Sequence, residues 1–96
     1  MAQRLADGVT ISDATLAQIV VQAAESVEGA RVRRPRRGLE VAVDGGRAHA
    51  RLELAVPYGA LIPELGLAVQ ERVAAALRTM CELEPDAVDV AVEELV

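Results

Sequence analysis

The chain has 96 residues, a length that supports one hydrophobic core and not two independent ones. Its apolar fraction is 52 %, yet Phe and Trp are absent and Tyr58 is the only aromatic residue, so the core must be built from Leu, Val, Ile, Ala and Met. A single cysteine, Cys81, excludes an internal disulfide and a multi-thiolate metal site, and no apolar run approaches the roughly 18 residues of a membrane-spanning helix.

The start, Met1 to Asp7, reads as a short polar lead; no apolar stretch follows it as in a signal peptide, and the expected location is the cytoplasm. Ile11-Ser12 predicts a helix start, with Ser12 capping free backbone amides, Ile11 and Leu16 spaced as a hydrophobic staple, and Asp13 placing negative charge in the first turn. Leu16, Ile19, Val20, Ala23, Ala24 and Val27 then share one helical face, and Gly29 is the expected terminator.

Ala30 to Arg34 predicts a short strand interrupted by Pro35, which has no amide hydrogen to donate. Alternation resumes from Leu39 to Val43, pauses at Asp44-Gly45-Gly46-Arg47, and continues from Ala48 to Val56, the pattern of a β-hairpin. A two-residue turn at Gly45-Gly46 would set Val43 opposite Ala48, Val41 opposite Ala50, Leu39 opposite Leu52 and Glu40 opposite Arg51. That register sorts apolar side chains to one face and polar ones, His49 among them, to the other.

Pro57-Tyr58-Gly59 breaks the strand, and Pro63 opens a second helix whose apolar stripe is Leu65, Val69, Val73, Ala76, Leu77 and Met80. Pro85-Asp86 ends that region, and Val88, Val90 and Val92 alternate as a last strand. The order α-β-β-β-α-β predicts an α+β two-layer sandwich, two helices on one face of a small mixed sheet of three to four strands, in a single domain over 1–96 with its core at about 9–93.

The residues offer little for chemistry. A Walker phosphate loop needs a lysine and the chain has none, no glycine set fits a dinucleotide fingerprint, and no cofactor is expected. His49 is the only histidine and lacks an evident positioned carboxylate or thiol partner, so an ordinary solvated side chain outweighs a general base. Cys81 sits at a helix end beside Glu82 and Glu84, where a thiolate is disfavoured, and reads as structural. Glu82, Glu84, Asp86, Asp89, Glu93 and Glu94 form an acidic end without EF-hand spacing, the usual mark of a solvated face.

The arginines are the exception. Arg31, Arg33, Arg34, Arg36 and Arg37 hold five of the ten basic residues, and removing them from a net of −5 leaves −10 for the rest of the chain. The segment is either a solvated connection that offsets the acidic body or a contact for phosphate, anionic lipid headgroups or an acidic protein surface. RNA is a further reading, but single-stranded RNA sites usually add aromatic platforms, and the GXXG loop of a KH domain is missing.

Ile11-Ser12-Asp13, Val27-Glu28-Gly29-Ala30, Asp44-Gly45-Gly46, Val56-Pro57-Tyr58-Gly59 with Ile62-Pro63-Glu64, and Val88 to Val92, in this order and spacing, resemble the alkaline shock protein 23 family and its Gls-type general-stress relatives. The likeness spans about residues 9 to 93. It implies a bacterial cytoplasmic protein of the envelope stress response, non-enzymatic, some of whose relatives are held at the inner face of the membrane by an anchor protein. Within the shared motif Tyr58, Gly59 and Pro63 are implied to shape the strand-to-helix turn. Against that resemblance, the extra charged tails of many members are not expected here, and the arginines stand in place of the usual stretch after Val27-Glu28-Gly29.

The expectation is therefore an adaptor acting through protein contact, with a protein partner or membrane-anchor protein, self-association and an anionic membrane surface as partners. A small KH-like RNA-binding domain using residues 31–37 is the alternative.

Overall fold

The structure is a computed structural model that describes residues 2–6, 9–33, 39–57, 59 and 61–95, with the side chains of 2–11, 13 and 93–95 outside the description. Among the described residues the elements are, in chain order, β1 (Ala2–Ala6), β2 (Val9–Ser12), α1 (Asp13–Glu25), β3 (Arg31–Val32), β4 (Leu39–Asp44), β5 (Arg47–Val56), α2 (Ile62–Met80) and β6 (Glu84–Leu95).

The α+β class holds, as a mixed sheet with two helices on one face. β5 is the organising strand: β4 and β3 pair antiparallel with it along one edge, and β6 pairs parallel with it along the other. Gly45 and Gly46, at φ +58° and +80°, make the hairpin turn in the left-handed region that glycine enters without penalty. The hairpin has the expected register, with Val43 opposite Ala48, Val41 opposite Ala50, Leu39 opposite Leu52 and Glu40 opposite Arg51.

That register decides what is buried. Ala48, Ala50, Leu52, Leu54 and Val56 all face the helices and are fully buried, while Arg47, His49 and Arg51 face out. Leu16, Val20 and Ala24 of α1 and Val69, Val73 and Leu77 of α2 close over them, joined by Val32, Cys81 and Leu83. Each fully buried Leu or Val contributes roughly 1.5 to 3 kcal/mol, so an aliphatic core suffices without large aromatics. The two helices are also tied by Arg72 Nη1, which donates to Ser26 Oγ at 3.0 Å.

The helix ends follow local chemistry. The Thr15 amide donates to Ser12 Oγ at 3.1 Å, the expected N-cap. The staple lies partly outside the described side chains, because Ile11 is among those left out. Helix α1 stops at Glu25 and not at Val27: Ser26 is its C-cap, its amide donates to the Gln22 carbonyl, and Gly29, at φ +89°, turns the chain afterwards. In α2, Pro63 sits in the first turn with Glu64, and Arg78 lies in the last. Its stripe includes Val69, Val73, Ala76 and Leu77, but Met80 is 58 % exposed and Cys81 takes its inward place. Glu82 adopts φ +54° at the helix exit, and the Leu83 amide reaches back to the Leu77 carbonyl at 2.9 Å.

Three details correct the expected order. Residues 2–12 are not merely a lead: β1 and β2 pair antiparallel, from Ala2 opposite Ser12 to Ala6 opposite Val9. β3 is only two residues long. Pro85 does not end a region; it lies within β6, opposite Ala48. Because β6 pairs only with β5 among the described residues, its other edge is open and tolerates a residue with no amide hydrogen.

Candidate functional site

The arginine segment begins on β3. Arg31 lies opposite Ala55, and the Arg33 amide donates to the Glu53 carbonyl at 2.9 Å, which carries the pairing with β5 one residue past Val32. Glu25 Oε2 accepts the Val32 amide at 3.0 Å and ties the same stretch to the end of α1. Along this edge the chain runs from Val32, opposite Leu54, to Leu39, opposite Leu52, advancing far more residues than β5 does. The surplus is residues 34–38, which lie outside the described residues, so of the basic segment the structure places only Arg31 and Arg33, both at this edge. Arg31 and Arg33 are exposed; Arg34, Arg36 and Arg37 lie outside the described residues.

Beside this edge, α1 and the β3–β4 side of the sheet leave an open groove of about 350 Å³. Val21, Val32 and Leu39 give it an apolar floor, and Gln18, Glu25 and Arg33 stand around it. Arg33 therefore borders a surface with both apolar and polar contact groups.

The turn motif separates into parts. Gly59 takes φ +89° and Pro63 lies in the first turn of α2, consistent with shaping the strand-to-helix connection, while Tyr58 lies outside the described residues. A Cβ built on Gly29 would sit 3.5 Å from Pro57 Cδ and 3.6 Å from Leu65 Cδ1. The turns at Gly29 and at Pro57 thus pack on each other, and two motif pieces remote in sequence form one structural joint.

The helix-free face of the sheet carries the other polar groups. His49 Nε2 and Asp89 Oδ2 are 2.8 Å apart across the β5–β6 boundary, and Arg47 Nη1 donates to Asp86 Oδ1 at 3.4 Å. Together with Glu40, Arg51 and Ala91, His49 and Asp89 line a shallow depression of about 780 Å³. These pairs are exposed, so each contributes little to stability. His49 thus has a carboxylate partner that sequence reading missed; the parallel register bringing β6 beside β5 is a long-range property with no local signal.

Cys81 is fully buried in the core, and desolvation pushes its thiol pKa up. Burial, not the neighbouring acids, is the cause. Among the described residues no group of three or more His, Cys, Asp and Glu side chains is arranged to hold a metal ion, and no helix is long and apolar enough to cross a membrane.

A second surface was absent from the sequence reading. At the outer side of β6, residues Ile62, Gly66, Leu67 and Gln70 of α2 face Val90 and Val92 across an open groove of about 500 Å³. Leu67 is 56 % exposed there, and Leu61, just before α2, is 67 % exposed. Both fall outside the buried stripe of α2, which is the one sequence signal that could have marked them.

Comparison with known proteins adds three findings. The family model of the alkaline shock protein 23 family, described as having a cell envelope-related function, matches residues 30–96. No curated protein matches the chain. Among solved structures, the MamM CTD in a copper form superposes with a TM-score of 0.66 at 22 % identity over 85 % of each chain. Another MamM CTD structure gives 0.60 at 20 % identity over 86 % of this chain and 99 % of that one. At that identity the likeness concerns the fold alone.

Proposed function

The chain belongs to the alkaline shock protein 23 family, whose function is cell envelope-related, and from that premise we propose that it is a non-enzymatic adaptor working at the inner face of the cell membrane. Its arginine segment meets the anionic lipid surface and the rest of the domain offers surfaces to protein partners. The observation that carries this reading is the concentration of five arginines within residues 31–37, the stretch of sequence that joins β3 to β4, in a chain whose remainder is acidic. Guanidinium groups suit phosphate recognition, and each basic residue near an anionic leaflet contributes about 1 kcal/mol.

Catalysis has no comparable support. The thiol is sealed in the core, and the histidine sits on an open face against a carboxylate with no nucleophile between them. Nucleic acid is supported less than lipid, because the one aromatic residue leaves nothing to stack several bases on.

Flotation with vesicles tests the proposal. The protein should float with vesicles containing phosphatidylglycerol and stay behind with purely zwitterionic ones. Replacing Arg33, Arg34, Arg36 and Arg37 together by Gln should weaken partitioning roughly a thousandfold at low salt. Equal flotation with both lipid mixtures, or binding that ignores the four replacements, refutes the lipid contact.

A further inference from the structure

Among the described residues, the edge of the sheet opposite β3 and β4 is unpaired. We infer that the outer edge of β6, together with the groove between β6 and α2, is a docking site for an extended segment of a partner protein in which apolar and basic residues alternate. This inference deepens the adaptor reading by naming a partner chemistry, and it concerns a different edge from the lipid contact.

The backbone comes first. β6 is twelve residues long and pairs only with β5 among the described residues. The Val88 carbonyl accepts a hydrogen bond from Gln70 Nε2 at 3.0 Å, so this edge reaches the side of α2. Alternate residues of a strand present their backbone groups to the same edge, which puts those of Val90 and Val92 there as well. An added strand would continue the ladder from where Gln70 leaves off.

Side chains then select the occupant. A strand laid along β6 turns every second side chain toward the helix layer, where Ile62, Leu67, Val90 and Val92 form an apolar trough. The intervening side chains turn to the open face, beside Asp89, whose carboxylate remains 62 % exposed despite its His49 contact. β6 contains Glu84, Asp86, Asp89, Glu93 and Glu94 and no basic residue at all. A second copy presenting its own β6 would bring like charges together, a common protection of open edges, whereas a basic segment is attracted.

Gly66 supports the same conclusion independently. A glycine inside a helix costs about 1 kcal/mol relative to alanine, yet a Cβ at this position would meet nothing within 4 Å. The packing of the domain gives no reason for its absence. Its effect is to keep the floor of the groove low where an added strand would lie.

The probe is a capped synthetic peptide of alternating valine and lysine, about eight residues long to match residues 88–95 of β6. Binding is read by titration with amide chemical shifts on the full chain. The expected result is saturable shifts at Val88–Val92 and Leu67, weakening with salt, and no saturation with the valine–glutamate peptide of the same length. Gly66→Gln, a better helix former that obstructs the groove, should unfold at higher denaturant and bind at least about tenfold more weakly. Shifts confined to the β3–β4 edge, equal binding of the two peptides, or full binding by Gly66→Gln overturns the inference. So does a dimer of the free chain that buries Leu67. The vesicle experiment uses the other edge, so its failure leaves this result readable, and the reverse also holds.

Discussion

A methyl group at position 29 would meet Pro57 and Leu65 at ordinary van der Waals distance, so the space there admits alanine while the backbone, at φ +89°, resists it. Gly29→Ala should therefore destabilise the fold by about 1 to 2 kcal/mol through backbone strain alone. A urea midpoint that drops with an unchanged slope is the expected signature; an unmoved midpoint would mean that the turn relaxes. Cys81 makes a different prediction. Its folded pKa lies above the unfolded value, so its contribution is intact below the unfolded pKa and is lost as pH rises past the ordinary thiol value of about 9 toward the raised one. Stability should fall in that alkaline range, and Cys81→Ala, though less stable at neutral pH, should fall less steeply. Equal alkaline slopes for the two proteins, measured by urea unfolding at a series of pH values, would dismiss the buried thiol as the cause.

Among the elements, what could be read from sequence was what neighbouring residues decide. The β4–β5 register followed from two glycines and an alternation that sorts Leu52 from Arg51, and the Ser12 cap needs only three residues of context. The β1–β2 hairpin escaped because its strands are short and mixed in polarity, although Asp7-Gly8 between them is a recognised hairpin dipeptide. Pro85 misled because a proline ends a strand only where its missing donor is needed, and which edge of β6 is open depends on a partner 37 residues earlier in the chain, Ala48. Helix α2 shows the same limit at its end: periodicity puts Met80 with Leu77, but the turn at Glu82 swings Cys81 and Leu83 inward instead. Leu77→Ala should thus cost about 2 to 5 kcal/mol, whereas Met80→Ala should stay within about 0.5 kcal/mol. Comparable losses in thermal unfolding would return Met80 to the core.

For the molecule as a whole, the question is whether the arginines do anything beyond balancing charge. Without them the rest of the chain carries −10, and an acidic body of this size repels itself. A variant with Arg31, Arg33, Arg34, Arg36 and Arg37 all replaced by Gln should accordingly unfold at lower urea than the native chain in low salt. Near 1 M salt, where the screening length shrinks to about 3 Å, the two midpoints should converge. Convergence identifies the intramolecular share of the arginines' work, and persistence of the gap would point instead to specific contacts made by these side chains. Neither outcome touches the lipid contact, because flotation at low salt and without denaturant compares two chains that the urea titration at the same salt shows to be folded. A loss of flotation under that condition can then be assigned to the membrane contact and not to a weakened fold.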